Sequence, residues 1–194
     1  MRTFLLSVLC FLILLPGTCV RAQTTARERQ DAYQQRQQLQ DNSLAAGLEF
    51  VNIGPSIMSG RVSDIAVNPE DPTHFYVAYA SGGLWETEDN GITFQPLFDD
   101  QAVMTTGALD VHWGSETIYL GSGEVNSSRS SYAGNGVYKS TDGGESWTHL
   151  GLDETHHIGR VIVDQNDVNV VWVAALGHLY GTNPERGVYK TSDG

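Results

Sequence analysis

The residues of this chain that could do chemistry fall into two sets. The first is periodic. Asp89, Asp142 and Asp193 stand 53 and then 51 residues apart, inside the runs "TEDNGITF" (87–94), "STDGGESW" (140–147) and "TSDG" (191–194). A carboxylate, hydroxyls, glycines and an aromatic this close together have the makings of a small binding or cutting site. The second set does not repeat. Asp64, Glu124 and Glu185 are carboxylates of the kind that serve as general acid, base or nucleophile, work that needs two such groups roughly 5–10 Å apart. Arg61, Arg129, Arg160 and Arg186, with Asn126 and Asn183, can grip carboxylates, amides or sugar hydroxyls. Tyr132, His157 and His178 add aromatic and imidazole surface.

The elements that must position these residues repeat on the same beat. From Leu48 the chain is a series of short apolar runs broken by Gly, Asn, Asp and Pro, which reads as many short strands. "IAV" (65–67), "LDV" (109–111) and "VIV" (161–163) end 44 and then 52 residues apart. Tyr76, Tyr119 and Trp172 open a second segment, 43 and then 53 apart, and "GLW" (83–85), "GVY" (136–138) and "GVY" (187–189) form a third. Phe50, Phe94 and Trp147 open a fourth. Four strands in a unit of about fifty residues describe a blade of a β-propeller, so the expected class is all-β with four-stranded blades.

Named from the inside outwards, the strands of each blade are A, B, C and D. "FVNIG" (50–54) then reads as an outer strand with no A, B or C before it, and it is expected to close the ring on the last blade. Two complete blades and most of a third do not close a ring, so the chain is expected to be the N-terminal part of a longer protein with downstream domains. The domain reading is a leader over 1–22, a polar Gln-rich segment over 23–47 that is a spacer or a weakly formed helix, and propeller over 48–194.

The periodic set sits between strands C and D in every blade. There an Asp can accept hydrogen bonds from its own turn, and Gly supplies positive φ. A feature present once per blade at a fixed place is explained by construction, whereas catalysis needs one site. Asp89, Gly91 and Phe94, Asp142, Gly144 and Trp147, and Asp193 are therefore read as structural. The second set gathers on the opposite face, where B–C loops and D–A crossings ring the central channel. The B–C step is 9 residues in the first blade but 19 and 17 in the next two. Polar loops on a rigid scaffold are where a ligand site usually forms.

The periodic cassettes resemble Asp-boxes, also called BNR repeats, of sialidases, sortilin-type receptors and xyloglucan-cleaving glycoside hydrolases. The longer runs "IGPSIMSGRVSDIAVNPEDP", "ASGGLWETEDNGITFQPLFDDQ" and "GSGEVNSSRSSYAGNGVYKSTDGGESW" resemble a group of large secreted bacterial proteins described as sortilin-like or glycosyl-hydrolase BNR-repeat proteins. That resemblance spans nearly all of 49–194 and implies the fold more than a reaction. The Arg-bearing motif of sialidases is absent from "FVNI" (50–53), which disfavours that chemistry. The xyloglucan-cleaving family places its general base just before a Gly pair after the first strand B, and here that position is Ala80. The leading expectation is therefore a propeller that binds a peptide or glycan around the channel mouth. The alternatives are a xyloglucanase-like hydrolase and a scaffold for other domains.

No cofactor and no metal is expected. His156, His157 and His178 are of a metal-binding type, but neighbours such as His156 and His157 point to opposite sides of an extended chain. The first 22 residues have a basic start at Arg2, the apolar run "FLLSVLCFLILL" and a small-residue ending at Ala22, which reads as a secretory signal. The expected location is periplasmic or extracellular, without membrane insertion after cleavage. Both cysteines lie in that leader. Without Arg2 and Arg21 the chain has 9 basic against 23 acidic side chains, a net charge of −14. Such a surface repels nucleic acid.

Overall fold

The computed structural model describes residues 24–48, 60–127 and 131–194. The leader, the outer strand read at 50–54 and Arg129 lie outside these residues. Three antiparallel sheets follow one another along the chain. The first runs β1 (Val62–Val67), β2 (Phe75–Tyr79), β3 (Gly83–Thr87) and β4 (Gln95–Pro96), in that spatial order. The second repeats the pattern with β5 (Thr106–His112), β6 (Thr117–Ser122), β7 (Val137–Ser140) and β8 (Thr148–Gly151). The third has β9 (Ile158–Asp164), β10 (Asp167–Ala175) and β11 (Gly187–Thr191), with β10 in the middle. Neighbours in sequence pair in space, as the A-B-C-D reading requires.

Burial shows how the sheets stack. Every residue of β6 is buried, because its sheet is covered on both faces. Ile118 and Leu120 join Tyr76, Leu84, Phe98, Leu109, Val111 and Tyr138 in a core between the first and second sheets. Tyr119, one residue out of step, joins Val137, Ile158, Val161, Val163, Val171 and Val173 between the second and third. Alternation of side chains across a pleated strand thus feeds two cores at once. Strand β1 is covered less, and its Ile65 and Val67 stay about half exposed, at 51% and 48%.

Two aspartates tie the inner strands together. Asp64 accepts from its neighbour Ile65 N at 3.0 Å and from Leu109 N of the next sheet at 3.1 Å. Asp110 does the same with Val111 N at 2.9 Å and Val163 N at 2.9 Å. Inner strands of adjacent blades do not share a ladder, so a carboxylate that reaches across satisfies amides otherwise left without partners.

The polar segment before the blades is a helix, α1 (Ala26–Asp41). Its start is a capping box. Glu28 N donates to Thr25 Oγ1 at 3.3 Å, and Thr25 N donates to Glu28 Oε2 at 2.9 Å. No residue of the helix is buried, and it is held to the blades by polar contacts described below.

Candidate functional site

On one face lie the Asp-centred turns. In the first blade Asp89 accepts from Thr87 Oγ1 at 2.9 Å, Thr93 N at 2.8 Å and Thr93 Oγ1 at 2.6 Å, while Gly91 N donates to Thr87 Oγ1 at 2.9 Å. In the second, Asp142 accepts from Ser140 Oγ at 2.7 Å and Ser146 N at 2.9 Å, and also from Ser146 Oγ. Gly144 N donates to Ser140 Oγ at 2.8 Å. In the third, Thr191 Oγ1 donates to Asp193 at 2.6 Å. The Ser146 contacts hold the Asp142 carboxyl down at about 2, below its usual 3.8. Those of Thr93 lower Asp89 in the same way. These carboxylates spend their acceptor capacity on their own turns.

The aromatic after each turn differs between blades. Trp147 reaches the first sheet, donating its Nε1 to Leu97 O at 2.8 Å and meeting Phe98 edge to face at 5.1 Å. The neighbouring Gly144 has φ +102°, and a Cβ there would stand 2.8 Å from Leu97 Cδ1. Phe94 instead meets Phe75 of its own sheet at 6.2 Å.

The opposite face is built from loops that do not repeat. Glu124, just after β6, is 1% exposed and pairs with Arg61, which precedes β1. The second carboxylate oxygen of Glu124, Oε2, is buried with no hydrogen-bond partner among the described residues. Beneath it, His157 Nδ1 donates to Glu124 O at 2.8 Å. Gly123 lets this loop approach the D–A crossing: its φ is +84°, and a Cβ would fall 1.8 Å from His156 O. Burial and the nearby His178 lower both His156 and His157 to about 4, so both rings are neutral at pH 7.

The other residues singled out in the sequence divide by what their polar atoms do. Asp64, already bound to Ile65 and Leu109, also accepts from Arg160 Nη1 at 3.4 Å. Glu185 Oε2 accepts from Glu154 N at 2.9 Å, and Asn183 Nδ2 donates to Glu154 O at 2.7 Å. Arg186 donates to Leu176 O at 2.7 Å and His178 O at 2.6 Å, bracing its own loop. Asn126 is exposed and its carbonyl accepts from Ser131 Oγ. Tyr132 is 57% exposed, and the Arg160 side chain 61%. Ala80, which the resemblance set at a general-base position, is buried at 1% exposure.

Residues of α1 and of the β8–β9 crossing that the sequence did not single out also take part. Arg29 of α1 donates to Gly134 O at 3.0 Å and Asp153 O at 2.9 Å, and Ala26 N donates to Glu154 Oε1 at 2.8 Å. The helix therefore buttresses the loop face. Its capping box was the available signal, since Thr25 and Glu28 have the spacing that marks a helix start.

No protein-family model and no curated protein sequence matches the chain. Among solved structures, an ancestral GH74 enzyme superposes with a TM-score of 0.50 at 21% identity, over 69% of this chain and 17% of the enzyme. A GH74 enzyme from Niastella koreensis gives 0.47 at 23% identity, over 65% of this chain and 19% of the enzyme. YCF48 from Cyanidioschyzon merolae gives 0.47 at 16% identity, over 72% of this chain and 39% of that protein. The chain thus spans under a fifth of either GH74 enzyme, and at such identities the likeness is one of fold alone. Three stacked antiparallel sheets with their first strands side by side, together with this likeness, make the chain part of a β-propeller.

Proposed function

We propose that this part of the propeller is exported and binds a peptide or glycan at the loop face around the channel. The observation that carries the reading is the Arg61–Glu124 pair. A carboxylate taken out of water costs several kcal/mol unless it is paired and hydrogen-bonded. Arg61 serves one oxygen of Glu124, and Oε2 is left as a buried acceptor. A donor from a ligand, an amide N–H or a sugar hydroxyl, would complete it, and reaching it requires the groups that cover Glu124 to move aside. Arg160 and Tyr132 offer exposed cationic and aromatic surface on the same face.

Binding fits this geometry better than hydrolysis. Asp64 has both oxygens committed to backbone amides, Glu185 braces Glu154, and Ala80 supplies no base. A two-carboxylate mechanism needs a second uncommitted acid at the right separation.

The test is a glycan and peptide array probed with the full-length secreted protein and scored for cleavage as well as capture. Glu124→Gln and Tyr132→Ala are each expected to weaken capture at least about tenfold, the loss of one good hydrogen bond or aromatic contact. Turnover of an arrayed glycan would replace the binding reading with the hydrolase one. Capture insensitive to both substitutions would move the site elsewhere.

A further inference from the structure

Beside the Glu124 loop lies a second cluster that the ligand reading does not use. Glu154 and His156 come from the crossing between β8 and β9, and His178 from the loop between β10 and β11. One ligand-type atom from each lies within 4.8 Å of the other two. Glu154 Oε2 is 4.0 Å from His156 Nε2. The His156 and His178 rings stand 3.9 Å apart at centroids, tilted by 36°. The expectation that His156 and His157 lie on opposite sides of an extended chain fails: the His156 backbone is left-handed and the two rings meet edge to face at 6.2 Å, although His157 donates to Glu124 O. The pairing that matters joins His156 to His178, 22 residues on.

Three features bear on this cluster. His178 Nε2 is buried and has no hydrogen-bond partner among the described residues. His156 has φ +63°, a region that non-glycine residues populate sparsely and that concentrates at functional sites. Glu154 is held from three sides, by Ala26 N on Oε1, by Glu185 Oε2 on its N–H and by Asn183 Nδ2 on its carbonyl. The last two fix its backbone, and the Ala26 N–H on Oε1 is the outer-shell bond that orients the carboxylate and leaves Oε2 toward His156.

We propose that Glu154, His156 and His178 form a site for a divalent transition-metal ion of the zinc type, which pins the β10–β11 loop to the β8–β9 crossing. Two imidazoles and a carboxylate suit zinc and its neighbours and are unsuited to calcium or magnesium, which take oxygen ligands. Ligand atoms around zinc at about 2.0–2.1 Å lie roughly 3.3 Å apart. The ligand atoms must close in from as much as 4.8 Å, so Glu154, whose side chain is 42% exposed, swings inward and the stacked His156 and His178 rings splay to aim one nitrogen each at the ion. The ion gives His178 Nε2 the partner it lacks. Arg29 adds a positive charge nearby, which Glu154 and Glu185 together outweigh. The inference stands apart from the ligand reading and survives its failure.

The experiment strips the full-length secreted protein with EDTA, dialyses it and titrates it with Zn2+ in a calorimeter, with Co2+ as a spectroscopic probe. The expected result is one equivalent bound, a rise in Tm and the visible absorption of Co2+ held by nitrogen and oxygen ligands. His178→Ala, in a surface loop, should weaken binding at least about a hundredfold, more than outer-shell changes cost, while His112→Ala should leave it unchanged. If His156→Ala fails to fold, His178→Ala and Glu154→Ala still decide. Absence of one-equivalent binding in the unaltered protein overturns the proposal, as does binding that survives His178→Ala.

Discussion

The two faces of these blades use the same residue types for opposite ends. On one face, Asp89 and Asp142 make the same contacts in successive blades, each closing a turn with a hydroxyl residue two before it and another four after it. On the other, among the described residues, Glu124 has one oxygen on Arg61 and the other without a partner, and His178 buries a bare ring nitrogen. Satisfied polar groups that recur with the repeat are frame. Buried polar groups that occur once, with capacity to spare, are where binding chemistry can be found.

The contrast can be broken most forcefully at Trp147. Trp147→Ala is expected to cost about 3 kcal/mol, as large aromatic truncations between packed sheets do. Phe94→Ala should cost less, because the ring contact of Phe94 is with Phe75 of its own sheet, whereas Trp147 reaches Leu97 and Phe98 of the neighbouring one. Chemical denaturation of the full-length protein measures both. Equal losses would mean that the turn aromatics do not join blades.

Next in size is Arg61→Ala, which strands the buried Glu124 carboxylate. Such breaks cost about 3–5 kcal/mol when both partners are buried. With half of the Arg61 side chain in solvent, about 2 kcal/mol is expected. Adding Glu124→Gln should recover most of it, since a neutral amide needs no counter-ion. If the double variant is as unstable as the single, the pair is not what couples the two loops.

A smaller effect comes from acid. The Asp142 carboxyl is lowered from 3.8 to about 2, so folding favours its charged form. Its contribution is fully present above pH 3.8 and fades as pH falls through about 2. Asp142→Asn should lower Tm at pH 7 yet lose less between pH 4 and 2 than the unaltered protein, by roughly the linkage expected for a screened surface group. Melts followed by circular dichroism across that range test it, and parallel curves would refute it.

Smallest is Thr25→Ala. It removes the α1 cap and should cost the helix about 1 kcal/mol. Amide exchange should then quicken over 26–30 while the blade strands keep their protection. Exchange at Gly134 and Glu154 should quicken too, because Arg29 and Ala26 brace the loop face, and unchanged exchange there would refute that bracing.

Much of this architecture could be read from the chain. The spacing of Asp89 and Asp142, with "GLW" and "GVY" before them, repeats because each blade solves the same local problem. Alternation along "TIYLGS" (117–122) likewise follows from pleating. The helix before the blades was only half legible, since its polar surface gives no periodic signal and only Thr25 and Glu28 announce it. For the candidate site, the sequence offered residue types and loop lengths but not contacts. Arg186 and Glu185 could as well have pointed into solvent, and nothing in their neighbours says that they close on Leu176 and Glu154.

What the sequence determined by itself is whatever depends on neighbours within a few residues: strands, turns, caps and their period. What only the tertiary structure decided is which distant groups meet. Arg61 finds Glu124 across 63 positions, Asp64 finds Leu109 across 45, and His156 finds His178 across 22. The physical reason is that sheet stacking brings loops together by geometry summed over whole blades, while each loop's own residues carry no record of the partner they will face.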